Sequence, residues 1–307
     1  MPLLTRKRVL AAKIETTAGT AIAVIAADAA FNIYDAILQP TIETVPRPKQ
    51  GQFSHAPASL GPQSGTCTFK VFLDGDGAAG APAWADTFLP ACGYKATLDN
   101  FAPLTEVHGS NVKTLTIAVY EDGKRKSIRG ASGTFVINIE NGKPIWFDFT
   151  FTGIWVPPTD AAILAPTYPT RAPIRAVSAT FTIGSWTPCF DTMTIDAGNN
   201  VILRPCIDDA QGYKTAIITD RLVTGSFNAE SNLVATEDVY GSWIALTEHA
   251  FSLAVGDGTD TVTLAAPKLQ RTNVQEGDRD TLQIDTVDFQ CNASAAAGND
   301  EFTIDFS

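Results

Sequence analysis

Residues able to do chemistry are present in this chain, but not at working spacings. The three histidines, His55, His108 and His249, stand in unrelated contexts. None has a second His, a Cys or a carboxylate at the spacing a metal ion needs. Asp74-Gly75-Asp76-Gly77 begins like a calcium loop, yet the later ligands and the closing Glu are missing, so it reads as a turn. Gly184-Ser185-Trp186 lacks the flanking glycines of a nucleophile elbow. No Gly-Lys-Ser/Thr follows Gly61 and Gly65 to hold a phosphate. Asp208-Asp209 and Asp278-Arg279-Asp280 set acids side by side. Paired acids hydrolyse glycosides when they flank a bond, whereas adjacent acids in Gly-containing polar loops are ordinarily solvated. Lys124-Arg125-Lys126 with Arg129 form a basic cluster beside Glu121 and Asp122. It reads equally as a polymer contact and as a solvated hairpin. Cys67, Cys92, Cys189, Cys206 and Cys291 are scattered, without a C-x-x-C pair, and read as small buried hydrophobes in a reducing compartment, with a Cys189–Cys206 bridge as the alternative. No catalytic residue, metal or cofactor is expected.

Composition bounds the rest. The chain has 307 residues, 45% of them hydrophobic and 18% charged, enough for two domains with sizeable cores. The longest apolar run, Ala21 to Ala27, is too short to span a bilayer, and the basic start lacks the ordered regions of a signal peptide. Net charge is −11 and unevenly placed. Residues 1–173 hold 15 Lys and Arg against 14 Asp and Glu, while residues 174–307 hold 7 against 19. Such a balance disfavours duplex DNA as a bound partner, because phosphate affinity comes from Lys and Arg. It suits solubility, or a surface that DNA avoids.

The elements that would position these residues are mostly strands. Gly65–Phe72 reads as a strand, Pro82–Leu89 as a helix around Trp84, and Lys113–Trp155 as further strands. In the second half, a strand through Arg221–Phe227 precedes a helix at Val239–Leu246 around Trp243, and strands fill 251–306. The order strand, Trp helix, strand therefore occurs twice, which suggests a duplicated building block. Asp122-Gly123, Asn141-Gly142 and Asp257-Gly258 are hairpin turns. Phe135, Ile137 and Ile139 alternate with polar residues, as do Ile145, Phe147, Phe149 and Phe151, so one face is a core and the other is wet. Prolines at 157, 158, 166, 169 and 173 mark a linker. Residues 1–30 read as an extended arm, and the alternating stretch Phe31–Lys49 as broken by Pro46 and Pro48. The expected architecture is all-β with short helices: two tandem β-sandwich domains, 1–160 and 174–307, joined by a Pro-rich linker at 161–173.

Several segments together resemble a known family. They are the arm Arg8–Thr20, Gly80-Ala81-Pro82-Ala83-Trp84 with Ala91-Cys92-Gly93-Tyr94, and the run Tyr120–Gly123, Arg129–Gly133, Asn141–Pro144 and Phe151–Gly153. Gly198–Val201, Thr219–Arg221 and the ending Asn299–Ile304 also fit. Across nearly the whole chain this pattern resembles the major tail tube proteins of long-tailed, non-contractile bacteriophages. The resemblance implies a structural virion protein, not an enzyme. It implies sheets that join across subunits into a barrel around a DNA-wide lumen. A two-domain chain would form homotrimeric, pseudo-hexameric rings stacked into a tube and assembled in the host cytoplasm. Its partners would be further copies, a tape measure protein, and tail terminator or distal tail proteins. DNA would pass without specific binding, and no membrane is involved. The alternatives are another virion or surface-assembly β-sandwich protein, and a carbohydrate-active β-sandwich enzyme.

By strand alternation the residues expected to face the lumen are Asn138, Glu140, Asp148, Thr150 and Thr152, with Gln283 and Asp285 from the second half. The arm 1–30 and the loop 74–81 are expected to reach a neighbouring ring, so that deleting residues 1–12 would leave the domains folded.

Overall fold

A computed structural model describes residues 6–75, 77, 80–104 and 113–307. His108 and parts of the 74–81 loop lie outside the described residues. The first half contains β1 (Arg8–Ile14), β2 (Ile33–Pro48), β3 (His55–Phe72), α1 (Ala83–Phe88), β4 (Tyr94–Thr97), β5 (Asn100–Pro103), β6 (Leu115–Glu121), β7 (Lys124–Glu140) and β8 (Trp146–Asp160). The second contains β9 (Thr180–Ile183), β10 (Phe190–Asp196), β11 (Asn199–Pro205), β12 (Tyr213–Arg221), β13 (Thr224–Glu230), α2 (Val239–Ile244), β14 (Glu248–Gly256), β15 (Thr261–Arg279), β16 (Leu282–Asn292) and β17 (Thr303–Phe306). The protein is all-β with two short helices, as the alternation patterns predict.

One antiparallel sheet runs β2-β3-β8-β7-β10-β13-β16-β15-β17-β5-β4. The pairing order β2-β3-β8-β7 recurs as β10-β13-β16-β15. Around it, β1 pairs β6 beside the start of β7, and β9 pairs β14 beside the start of β15. The two halves meet edge to edge, where Asn138 of β7 stands opposite Thr194 of β10. They also meet where Ile304 of β17 stands opposite Phe101 of β5. One hydrophobic cluster extends through both halves.

That cluster follows from the alternation. Phe147, Phe149 and Phe151 project from one face of β8, beside Phe135 of β7 and Phe69 of β3. Phe149 has aromatic neighbours on every side: Phe69 at 5.4 Å, Phe88 at 5.5 Å, Phe135, Phe147 and Phe151 at 5.9 Å, and Trp84 at 6.2 Å between ring centres. Trp84 and Phe88 lie at i and i+4, so a six-residue helix delivers both to the sheet. Gly93 ends this segment in the left-handed conformation at φ 81°.

Trp84 also donates through Nε1 to Asp74 Oδ1 at 2.6 Å. Burial pushes the Asp74 carboxyl above its ordinary pKa, although Trp84, Asn32 and Arg171 favour the ionised form. A carboxyl whose pKa is raised on folding disfavours the fold once pH exceeds the folded value, and the cost vanishes below the unfolded value. Asp74→Asn keeps an acceptor for Trp84 and removes the charge. The variant is expected to melt above wild type at pH 7, with the gap closing as pH falls toward 4. Thermal melts across pH check this, and a gap that widens in acid would contradict it.

Four expectations are corrected. Residues 8–14 are not an extended arm: they form β1, paired along all of β6, with Leu10, Ala11 and Ala12 buried. Pro46 and Pro48 do not break β2. They sit in an edge strand with register shifts, where missing N–H donors cost little. Pro157 and Pro158 belong to the end of β8, at a register shift against β7, and not to the linker. The strand expected through Arg221–Phe227 is divided between the end of β12 and β13, and residues 192–204 are likewise divided between β10 and β11. At the break between β10 and β11 Gly198 adopts φ 62°, and a Cβ there would collide with the Leu222 carbonyl. β11 and β12 thus leave the main sheet as a hairpin of their own. All five cysteines are free, with Cys67, Cys92 and Cys291 buried.

The start of the chain is anchored by Glu15, a buried carboxylate. It accepts from the Gly19 and Gly130 backbone N–H groups at 2.8 Å each, from Thr114 Oγ1 at 2.7 Å and from Thr116 Oγ1 at 2.8 Å. Glu15→Gln turns one acceptor into a donor facing donors. It is expected to lower unfolding free energy by about 1–3 kcal/mol in denaturant titrations.

Candidate functional site: a polar sheet face and its two edges

The face of the sheet opposite the core is polar over most of its path. Asn138, Trp146, Asp148, Thr150 and Thr152 lie on it, all half-buried, because their odd-even partners Ile137, Phe147, Phe149 and Phe151 point into the core. Register carries the face across the junction. Asn138 stands opposite Thr194, Thr194 opposite Ser226, Ser226 opposite Asp288, and Asp288 opposite Asn273. The next row runs Lys70, Asp148, Val136, Asp196, Thr224, Gln290 and Gln270. Side chains hydrogen-bond along it: Asn138 Nδ2 donates to Asp148 Oδ2 at 2.8 Å and Trp146 Nε1 to the same oxygen at 3.0 Å. Asn273 Nδ2 donates to Asp288 Oδ2 at 3.0 Å, and Gln290 Nε2 to Gln270 Oε1 at 3.1 Å.

The expected acids are less free than alternation alone suggests. Asp148 has Lys70 Nζ at 3.8 Å, and Glu140, on the same face, is paired with Lys143 at 2.5 Å. Asp196 and Asp288 lie on this face as well, and sequence reasoning missed both. For Asp196 the signal is local: Met193 and Ile195, both fully buried, alternate with Thr192, Thr194 and Asp196.

Gln283 and Asp285 are corrected. They share the face of Val287 and Phe289, which is the core side, and Asp285 stands opposite buried Ala229. The alternation inverts at this end of β16. Polar Gln283 and Asp285 sit beyond the apolar core, near Val239 and Tyr240 of the α2 segment, while Ile284 takes the outer parity. Asp288 is the acid of β16 that lies on the polar face.

Among the described residues the path ends at β2 and at β4, and a further long stretch, the distal part of β15, is bonded on one side only. β2 pairs only with β3, and the distal part of β15, Arg271–Arg279, pairs only with β16. The corresponding part of β7 is not free, since it carries β10. Among the described residues no group of three or more His, Cys, Asp and Glu is placed to hold a metal. None of their helices is long and apolar enough to cross a membrane.

The family model of phage tail tube proteins matches residues 5–293. This chain belongs to the phage tail tube protein family. No curated protein matches it. The family is structural and not enzymatic. A tail tube protein self-assembles into a tube and resides in the virion.

Proposed function

We propose that copies of this tail tube protein join edge to edge into closed rings, and that the rings stack into the tube of a long, non-contractile tail through which DNA is delivered. The observation that carries this reading is the β7–β10 junction, where two units of the same strand order already share one sheet. A second copy can repeat that junction by setting its free β2 against the free part of β15. Closure would cover both of these long edges, the ordinary reason for a barrel. The units are 1–160 and 174–307, with 161–173 as the strap between them. Arg171 of this strap pairs with Asp257 at 2.9 Å and Asp260 at 2.5 Å, so the strap holds to the second unit. Three copies would present six units, a homotrimer with pseudo-six-fold symmetry. Electron microscopy of purified protein tests this: rings with a central hole are expected, and discrete monomers at high concentration would overturn it.

In this reading Asn138, Glu140, Asp148, Thr150 and Thr152, with Asp196 and Asp288, line the lumen. DNA slides past without binding, a tape measure protein occupies the lumen before it, and terminator and distal tail proteins close the two ends. Assembly takes place in the host cytoplasm. The amides and hydroxyls of this face already bond one another, which lowers their attraction for phosphate. The carboxylates repel phosphate within a screening length of about 8 Å. Asp148→Lys combined with Asp288→Lys is expected to leave tubes intact and to slow DNA ejection, more so at low salt. Unchanged ejection kinetics in assembled variant tails would reject the lumen assignment.

A further inference from the structure

The first unit's helix region is covered by the second unit, whereas the second unit's is bare. After α1, the turn Leu89–Cys92 is buried, with Leu89 and Cys92 fully so. Part of that cover is the β11–β12 hairpin. Asn199 Nδ2 donates to the Cys92 carbonyl at 2.8 Å and to the Gly133 carbonyl at 3.0 Å. A Cβ at Gly93 would stand 3.2 Å from Ile218 Cδ1, and the Arg221 guanidinium lies 5.8 Å from the centre of the Tyr94 ring. At the end of α2 and just beyond it, by contrast, Ile244 is 81% exposed and Leu246 60%.

The repeated strand order says what should cover this bare apolar turn. β11 and β12 are the extension of the β10–β13 pair, and β10 lies on β7. The counterpart of β7 is β15, and the counterpart of the β10–β13 pair is β2–β3. The counterpart of the β11–β12 hairpin is therefore the outer part of β2–β3. That outer part carries exposed apolar residues of its own: Ile42, Val45 and Leu60 are 45%, 51% and 66% exposed. Asp196 stands opposite Thr224 and Gln39 opposite Thr66, each pair near the base of its hairpin. Asn199 follows Asp196 by three residues, and Ile42 follows Gln39 by three.

We infer that in the assembled ring the outer β2–β3 hairpin of one copy lies over the Ile244–Thr247 turn of its lateral neighbour, with Ile42 in the place that Asn199 holds inside the chain. This rests on the reading that copies close edge to edge. The hairpin is then a clasp within a ring, and both apolar patches leave water on closure. Covering them laterally also explains why the first unit's helix turn needs no exposed apolar residues: it is covered before assembly.

The test joins Ile42→Cys and Leu246→Cys in one chain, with Cys189→Ser and Cys206→Ser to remove the accessible thiols. A short bis-maleimide is added to assembled tubes. The expected result is a ladder of covalent oligomers that stops at the ring size, absent from either single variant. A ladder that continues past the ring size, or assembled tubes that give no adduct, would overturn the clasp. Hydrogen exchange of wild-type protein supplies a readout without substitutions. Amides of residues 40–48 and 244–247 are expected to gain protection together on assembly, and unchanged exchange at 244–247 would overturn the contact. Wild-type protein that forms no rings overturns the ring reading itself, whereas rings without adduct or protection overturn the clasp alone.

Discussion

Removal of residues 1–12 is expected to unfold the first unit, not merely to impair assembly. The truncation takes away Arg8–Ala12, which face Glu121–Ile117 in the β6 ladder. It strips the ion pair between Arg8 and Glu121 at 3.0 Å and the bond from Arg8 to the Ala36 carbonyl. It exposes the surfaces that Leu10, Ala11 and Ala12 cover. A buried Leu side chain alone contributes about 1.5–3 kcal/mol. Each lost ladder bond adds about 0.5–1.5 kcal/mol. The total approaches the roughly 5–15 kcal/mol that holds an ordinary domain together. Denaturant titration by circular dichroism should show a lost or much earlier transition for the 1–12 deletion. Deletion of 1–6 spares β1 and should behave as wild type. Matching titrations for the two truncations would show that β1 is dispensable.

Phe149→Ala is expected to cost about 3–5 kcal/mol, the range for truncating a fully buried aromatic ring. Six aromatic rings from β3, α1, β7 and β8 surround this side chain, and they cannot all move to fill the space. For a chain of this size the midpoint should fall by roughly 6–10 °C in calorimetry. Phe149→Leu, which keeps most of the volume, should fall much less. A loss below about 1 kcal/mol for the Ala variant would show that the cluster repacks and that Phe149 is not its centre.

The sequence made the middle of each unit readable and left its margins obscure, for physical reasons. Phe147, Phe149 and Phe151 alternate with Asp148, Thr150 and Thr152 over a strand buried on one face only, so period two is unmistakable. Arg8–Ile14 shows no such alternation, because Leu10, Ala11 and Ala12 are all buried in succession, as happens to a strand covered on both faces. In β16 the alternation inverts between Ile284 and Val287, where the strand outruns the core, so the parity that set Gln283 and Asp285 on the wet face does not hold there. The breaks at Ala197-Gly198 and Leu222-Val223 carry one glycine between them, too weak a signal to divide two apolar runs. The β7–β10 contact joins residues more than fifty positions apart, and nothing local marks it.

That same contact changes the arithmetic of assembly. In a ring built from single units every seam is a bimolecular encounter, and each one loses translational and rotational freedom. In the proposed ring one seam of every two would be written into the polypeptide, so its partners would meet at the effective concentration that a short tether sets, independent of how much protein the cell has made. A ring of n such chains needs n intermolecular seams to enclose 2n units. The intermolecular seam can also diverge from the tethered one without loss of the latter. An alternation of two unlike seams admits only an even number of units, which excludes rings with an odd number of units.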